Sequence, residues 1–463
     1  MISRTEFLVH YGDAVRRGTG AMFVGAGMSV ASGLPDWNQL IAPLRAEANV
    51  PDEITDAPIA AEYILAELGE HRMRRLLLDE LTKTAAGPSD AVRDLMRLAV
   101  PEYWTTNYDT LLEEACEDSL HRVVADEDYA VERPADAARR LTKLHGSLDL
   151  PDGNPREWQV PPVIARSDYE RFEFEHPLKW SMLRAQFLTS SFLFLGFSFD
   201  DPNINALLRI VRSLPPGLRR APHYAVIRRP ADTGRRRVFD LFAADLHRAG
   251  IHVLPIDDFG ELDELVRDIL LHAREPNLFI AGRAETDVAR LVCAAVGAQL
   301  KSMTQKVTLL SLGGSAALRV ALDLKSTLLP GEYRPERMRV YYRRSEAGDG
   351  VELNDRVGMA VFTDLDLDAL RTAVFAQTRA LLLVGDGTRV RDEVALARAQ
   401  GIPVVPIAMS GRAARDLWTS ATPASLGLEA PDVDVLWARL NDPSVPLAVD
   451  AARSLLSYIL FAK

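Results

Sequence analysis

Short apolar runs recur along this chain, each followed by turn residues and then by a stretch of helical periodicity. In the first half they read AMFVGAG, EYWTTN, RLTKLHG, SFLFLGFSF, HYAVIRR and GIHVLPI. Such alternation leaves few folds open. Strands joined through helices lie parallel, and a parallel sheet needs helices over both faces. The chain is therefore expected to be α/β, built of Rossmann-like sheets. At 463 residues it exceeds one ordinary core. After ELDELVRDILLHAR, Pro276 disfavours further helix and the strand LFIAGRA begins afresh. That puts a domain boundary near residue 275, giving domains 1–275 and 276–463. The second domain runs LFIAGRA, KVTLLSLGGSAAL, RMRVYYRR, GMAVFT, ALLLVGDGT and PVVPIAM, another α/β sheet without sequence repetition of the first. Residues 39–100 carry helical patterns such as IAAEYILAEL and MRRLLLDELTK and read as a helical insertion. Ser345 to Gly350 reads as an exposed loop. The helical region beyond residue 411, with Trp418 and Trp437, reads as packing, within the chain or between subunits.

The net charge of −11 argues against a general phosphate-backbone binder, so no nucleic-acid partner is expected. Two cysteines, Cys116 and Cys293, build neither a disulfide framework nor a four-cysteine zinc site, and no metal is expected. The first residues carry charges throughout and lack the apolar stretch of a signal peptide. The longest uncharged run, Ala185 to Phe199, is too short and polar to span a bilayer. These features predict a cytoplasmic protein without membrane association.

Polar motifs stand at the ends of the strand-like runs, where open parallel sheets bind ligands. After the first comes Gly25-Ala26-Gly27, then Ser29, and then Ser32-Gly33-Leu34-Pro35-Asp36-Trp37. Glycines there would let backbone N–H groups approach a phosphate at a helix start. Later ends carry Thr105-Thr106-Asn107-Tyr108-Asp109, Lys143-Leu144-His145-Gly146-Ser147, and Leu195-Gly196-Phe197-Ser198-Phe199-Asp200-Asp201-Pro202. Alone, Asn107 reads equally well as an Asx turn and His145 as a satisfied strand-end histidine. Together the four motifs point to one cleft.

As a set, these motifs resemble the sirtuin catalytic domain, over roughly residues 10 to 270. The resemblance implies that NAD+ is the substrate, held by Gly25, Ala26, Gly27, Ser29, Ser32, Gly33, Asp36, Asp109, Gly196 and Ser198. It implies that Asn107 orients a ribose hydroxyl or a water and that His145 is the general base. Cleavage of the nicotinamide–ribose bond needs little acid assistance, because the leaving group departs neutral from a cationic ring; positioning and charge stabilisation do most of the work. The chain departs from protein-deacylating sirtuins in two respects. Their four-cysteine ribbon is replaced by LPDGNPREW, and their acyl-peptide turn by PPVIARSDYERF. Water is then the natural acceptor, which favours hydrolysis to ADP-ribose and nicotinamide. SDYERF and LGFSFDDPNI also look like the bacterial defence-associated branch of sirtuin-like proteins.

In the second domain, Ala281-Gly282-Arg283, Gly313-Gly314-Ser315 and Gly385-Asp386-Gly387-Thr388 have the look of a phosphate-binding sheet. Arg371 on the preceding helix could pair bidentately with a phosphate, or lie in a solvated face. Over roughly residues 277 to 410 this resembles the SLOG superfamily of nucleotide binders. The superfamily's Gly-Gly-x-Gly-Thr fingerprint is degenerate here, as GDGTRVRDE, which favours sensing over hydrolysis. Glu393 would hold an adenine amino group or a ribose hydroxyl. A sirtuin-like domain followed by a SLOG domain resembles the Thoeris antiphage effector. That resemblance implies a TIR-domain partner enzyme making a cyclic ADP-ribose isomer as activator, bound by Arg283, Gly313, Gly314, Arg371, Gly385, Gly387 and Glu393. It also implies a homo-oligomer, tetramer or filament. A protein deacylase or ADP-ribosyl transferase, and a non-catalytic nucleotide-binding scaffold, are the competing readings.

Overall fold

The run Gly20–Val24 is buried at every position, as the middle strand of a parallel sheet must be. In the computed structural model this is β1, at the centre of seven strands. The described residues are 1–461 except 84–86, 118–119, 132–136, 138, 148–161, 214–220, 304–305, 330, 345–356 and 429. The LPDGNPREW stretch and the loop Ser345 to Gly350 lie outside the described residues. The chain divides into two compact units, Met1–Ala273 and Arg274–Lys463.

In the first unit β1 is followed by β2 (Glu102–Thr105), β3 (Leu120–Val123), β4 (Arg139–Lys143), β5 (Ser191–Leu195), β6 (His223–Arg228) and β7 (Ile251–Ile256). Their spatial order is β3-β4-β2-β1-β5-β6-β7, and every pairing is parallel. Side chains alternate between two cores with the period of a strand. Met22, Val24, Leu193 and Leu195 pack with Phe7, Tyr11 and Val266, beneath the helices Arg4–Arg16 and Glu261–Ala273. Phe23, Phe192 and Phe194 pack on the opposite face with Phe187, Ile204 and Phe239. The insertion forms four helices, Trp37–Glu47, Ala57–Leu68, Glu70–Thr82 and Asp90–Arg97. The first three build a small core of their own around Leu44, Ile64 and Leu77, and that core includes Tyr108, the neighbour of Asn107.

The second unit holds β8 (Asn277–Ala281), β9 (Thr308–Ser311), β10 (Met338–Arg343), β11 (Met359–Thr363), β12 (Ala380–Leu383) and β13 (Val404–Pro406). They lie in the order β11-β10-β9-β8-β12-β13, again all parallel. Trp437 is buried in this unit's own core, and the indole N–H of Trp418 donates to the Trp437 carbonyl at 2.9 Å. Both tryptophans thus pack within the chain.

Each sheet reverses its winding beside its first strand, between β1 and β5 in one and between β8 and β12 in the other. Loops leaving the carboxyl ends of those strands diverge and leave a crevice. Both candidate sites stand at these reversals.

Candidate functional site

Strand register brings the four polar motifs of the first unit level with one another. Val24 pairs with Thr105 and with Leu195, and Thr105 pairs with Lys143. Asn107 and His145 therefore each stand two residues beyond paired strand ends. Thr105 fastens the first of these loops: its hydroxyl donates to the Val24 carbonyl at 2.8 Å and accepts the Asn107 amide at 3.0 Å. Lys143, fully buried, anchors the same loop from below through Glu113 at 3.0 Å and the carbonyls of Tyr108 and Asp109.

Asn107 is buried and half satisfied. Its Nδ2 donates to Ser29 Oγ at 2.9 Å, and Ser29 Oγ donates to Asp109 Oδ2 at 2.7 Å. That relay fixes which way the amide faces. Its Oδ1 is buried and meets no donor among the described residues. An unpaired buried carbonyl costs free energy, so this oxygen is poised for a hydroxyl or a water.

His145 is buried, with the rings of Tyr169 and Phe172 near-perpendicular to it at centroid separations of 5.2 Å and 6.1 Å. Its Nε2 lies 3.3 Å from Asp201 Oδ2 without hydrogen-bond alignment. Burial pulls the imidazole below its ordinary range, and Asp201 partly opposes the fall. The ring is then neutral near pH 7 and able to accept a proton. Nearby, Lys179 donates from a fully buried position to the Val124 carbonyl at 2.9 Å and the Leu144 carbonyl at 3.2 Å. Burial lowers it to about 8.

In the second unit a cavity of about 680 Å³ opens at the β8–β12 reversal. Its walls include Arg283, Arg290, Ser311, Gly313, Gly314, Gly387, Arg389 and Glu393. Three arginines beside backbone turns suit an anionic ligand. Glu393 is buried, and its carboxyl has no hydrogen bond or ion pair among the described residues. Burial raises it to about 7, against the pull of Arg371 and Arg389.

Residues 101–248 match the SIR2-like domain family. The chain is 29% identical over 294 residues to the NAD(+) hydrolase ThsA of Bacillus cereus (strain MSX-D12), covering 60% of this chain and 59% of that protein. It is 30% identical over 279 residues to the protein of the same name from Acinetobacter baumannii (strain 532279), covering 57% and 55%. With that of Cytobacillus dafuensis the identity is 26% over 453 residues, covering 89% and 86%. The chain is thus similar to the sirtuin-like proteins named ThsA, and carries a SIR2-like domain over residues 101–248. The matches to the first two relatives span less than two thirds of their length; the third runs nearly end to end.

In this sirtuin-like chain the glycines of the first loop face one another rather than open space. The Gly25 amide donates to the Leu195 carbonyl at 2.8 Å and the Gly27 amide to the Gly196 carbonyl at 2.9 Å. A Cβ on Gly25 would overlap the Gly196 carbonyl oxygen, and one on Gly196 would stand 2.6 Å from the Met28 nitrogen. The expectation that these amides await a phosphate is corrected accordingly: the glycines let two loops interlock. Ala26 and Ser29 lie on the five-residue helix Ala26–Val30. Ser32 Oγ accepts the Ser89 amide at 3.1 Å, and Gly33 lies exposed. Asp36 caps the helix Trp37–Glu47, accepting the Gln39 amide at 2.8 Å, so its carboxylate already has a structural task. Ser198 is exposed beside Phe199, which is buried with φ 66°.

Two residues expected at the second site lie off the cavity wall. Gly385 packs under the Arg283 carbonyl and the Gly411 backbone. The guanidinium of Arg371 is held by Asp368 at 3.3 Å and Asp392 at 3.5 Å. Sequence reasoning passed over Asp201, Lys179, Arg290 and Arg389. For Asp201 a signal existed, since Asp-Pro at a helix start marks a cap. For the buried lysine no local pattern could have done so.

Glu393 carries a pH-dependent prediction. Its carboxyl binds a proton more tightly folded than unfolded, so the associated stability is complete below about 4.5 and lost as pH rises through about 7. The loss amounts to roughly 3 kcal/mol. Glu393→Gln is expected to melt higher than the parent at pH 8 and equally at pH 4. Parallel melting curves across that range would show that the carboxyl is not held protonated by the fold.

Among the described residues no group of three or more His, Cys, Asp or Glu is placed to hold a metal ion. No described helix is long and apolar enough to cross a membrane.

Proposed function

We propose that this chain is an NAD+ glycohydrolase of antiphage defence, gated by a cyclic ADP-ribose isomer bound in the second unit. The observation that carries the catalytic half is the buried Oδ1 of Asn107, unpaired among the described residues, oriented by Ser29 and level with a neutral imidazole at His145. Asn107 accepts a hydrogen bond from a ribose hydroxyl or the attacking water. As the C1′–nitrogen bond breaks, its electron pair passes to the nicotinamide ring and neutralises it. Water adds to C1′, and His145 takes the proton that water releases. The product is ADP-ribose. The printed names of the relatives, NAD(+) hydrolases over up to 86% of their length, support the same chemistry.

The gating half rests on the second cavity. Arg283, Arg290 and Arg389 suit a pyrophosphate, and Glu393 suits a hydroxyl or amino donor. An activator must bind the active state more tightly than the resting one, since equal affinity shifts nothing. A TIR-domain enzyme is the proposed source of the signal, and a homo-oligomer the proposed active form. The test is incubation of purified protein with NAD+, with and without cyclic ADP-ribose isomers, followed by chromatography. The expected result is nicotinamide and ADP-ribose in equal amounts, with release accelerated at least tenfold by one isomer. Turnover only with an acylated peptide would establish a deacylase instead. No turnover under any condition would leave a binding scaffold.

A further inference from the structure

The turn after β5 does more than present Gly196 and Ser198. Gly196 and Phe199 both take positive φ, 63° and 66°. For a buried phenylalanine that conformation is strained and persists because the surroundings enforce it. Here Phe199 is held among Phe194 at 5.0 Å, Phe197 at 5.2 Å and Phe242 at 6.2 Å. The strained turn delivers Asp201 to the start of the helix Pro202–Arg212. There its two oxygens divide their work. Oδ1 accepts the amides of Asn203 at 2.9 Å and Ile204 at 3.0 Å, and Oδ2 faces His145 Nε2 at 3.3 Å.

We propose that Asp201 positions His145 and stabilises its imidazolium during NAD+ cleavage. This rests on the hydrolase reading given above. The capped helix start holds one oxygen rigidly, so the other has little freedom to leave the ring. Before the proton moves, Nε2 and Oδ2 are close but unaligned. Once Nδ1 has taken the proton from the attacking water, both ring nitrogens carry hydrogen, and the ion pair with Asp201 forms in a buried setting where charge attraction is strong. Other groups acting on this ring are Lys179 and His176, whose charge opposes its protonation, and Asp168, which favours it. Tyr169 and Phe172 stand near-perpendicular to the imidazole. Asp201 is the carboxylate within ion-pair distance.

The variant that separates the two tasks of Asp201 is Asp201→Asn. Asparagine is as good a helix cap as aspartate but carries no charge. With full-length protein, the expected result is a fall in kcat of about 10- to 100-fold, with KM for NAD+ within about threefold and an unchanged melting temperature. The His145 titration, followed by NMR on ¹³C-labelled histidine and assigned with His145→Gln, is expected to drop by about one pH unit. Removing a negative neighbour lowers the proton affinity, so the acid limb of the pH–rate profile moves down with it. Asp201→Ser, a second capping variant, should give the same titration shift. An unchanged midpoint, or a shifted midpoint with full kcat, overturns the positioning role. If wild type fails to cleave NAD+ yet the midpoint still drops in the variant, the hydrolase reading falls and the histidine–aspartate pairing survives.

Discussion

Asn107→Ala is expected to lower NAD+ cleavage by about 10²- to 10³-fold, the usual loss on removing one preorganised polar contact. Two hydrogen bonds through Ser29 and Asp109 hold the amide in one orientation, and what they present is an acceptor that none of the described residues uses. Alanine removes that acceptor together with its unmet demand for a partner, so the change in stability is expected to stay within about 1 kcal/mol. Ser29→Ala supplies an intermediate case: the acceptor survives but turns more freely, and a loss of about tenfold is expected. Nicotinamide release in the presence of activator, paired with a thermal melt, decides the matter. Near-normal turnover in Asn107→Ala would remove the residue from the chemistry.

Gly282→Ala is expected to destabilise the second unit by about 3 kcal/mol or more, among the largest costs a single methyl group imposes. Two penalties combine. Gly282 takes φ 102°, a conformation that alanine adopts at roughly 1–3 kcal/mol, and the new Cβ would overlap the Val384 carbonyl oxygen, which is backbone and cannot swing aside. Gly401→Ala in the same unit is the control. It also has positive φ, 68°, but nothing stands within 4 Å of its Cβ, so only the conformational penalty of about 1 kcal/mol applies. Denaturant or thermal unfolding of the two variants should separate them clearly. Equal losses would mean that the close approach to Val384 relaxes without cost.

The sheets were legible because central parallel strands, buried on both faces, read as apolar runs, as Gly20–Val24, Ser191–Leu195, Asn277–Ala281 and Ala380–Leu383 do. The strand passed over, β3, has the sequence LHRV and lies at a sheet edge, where half its side chains are only partly covered and polar residues are tolerated. Candidate site residues were legible where they follow a strand end, as do Asn107 and His145, both buried two residues beyond paired strands. They were not legible where a role depends on a partner distant in the chain. Asp201 meets His145 across 56 positions, and Lys179 meets Leu144 across 35. Arg371 shows the converse: a cation ahead of a glycine turn suggested a phosphate contact, while its guanidinium is paired with two aspartates and is not on the cavity wall. The glycines were recognised for their small size, but what fills the space beside them is another loop.

The order of strands in the first unit also has a consequence for how the chain is made. Gly20 of β1 pairs with Ser191 of β5, so the central strand acquires its second neighbour only after about 170 further residues have been synthesised. At ordinary translation rates that interval is roughly 10 to 30 seconds. Throughout it, one long edge of Ala21-Met22-Phe23-Val24 has unpaired amides and carbonyls, in the kind of segment that invites association between nascent chains. β8 waits a shorter stretch for β12, from Leu278 to Ala380. Recombinant yield of this protein is therefore governed by protection of the emerging first unit, through slower, cooler expression or chaperone supply.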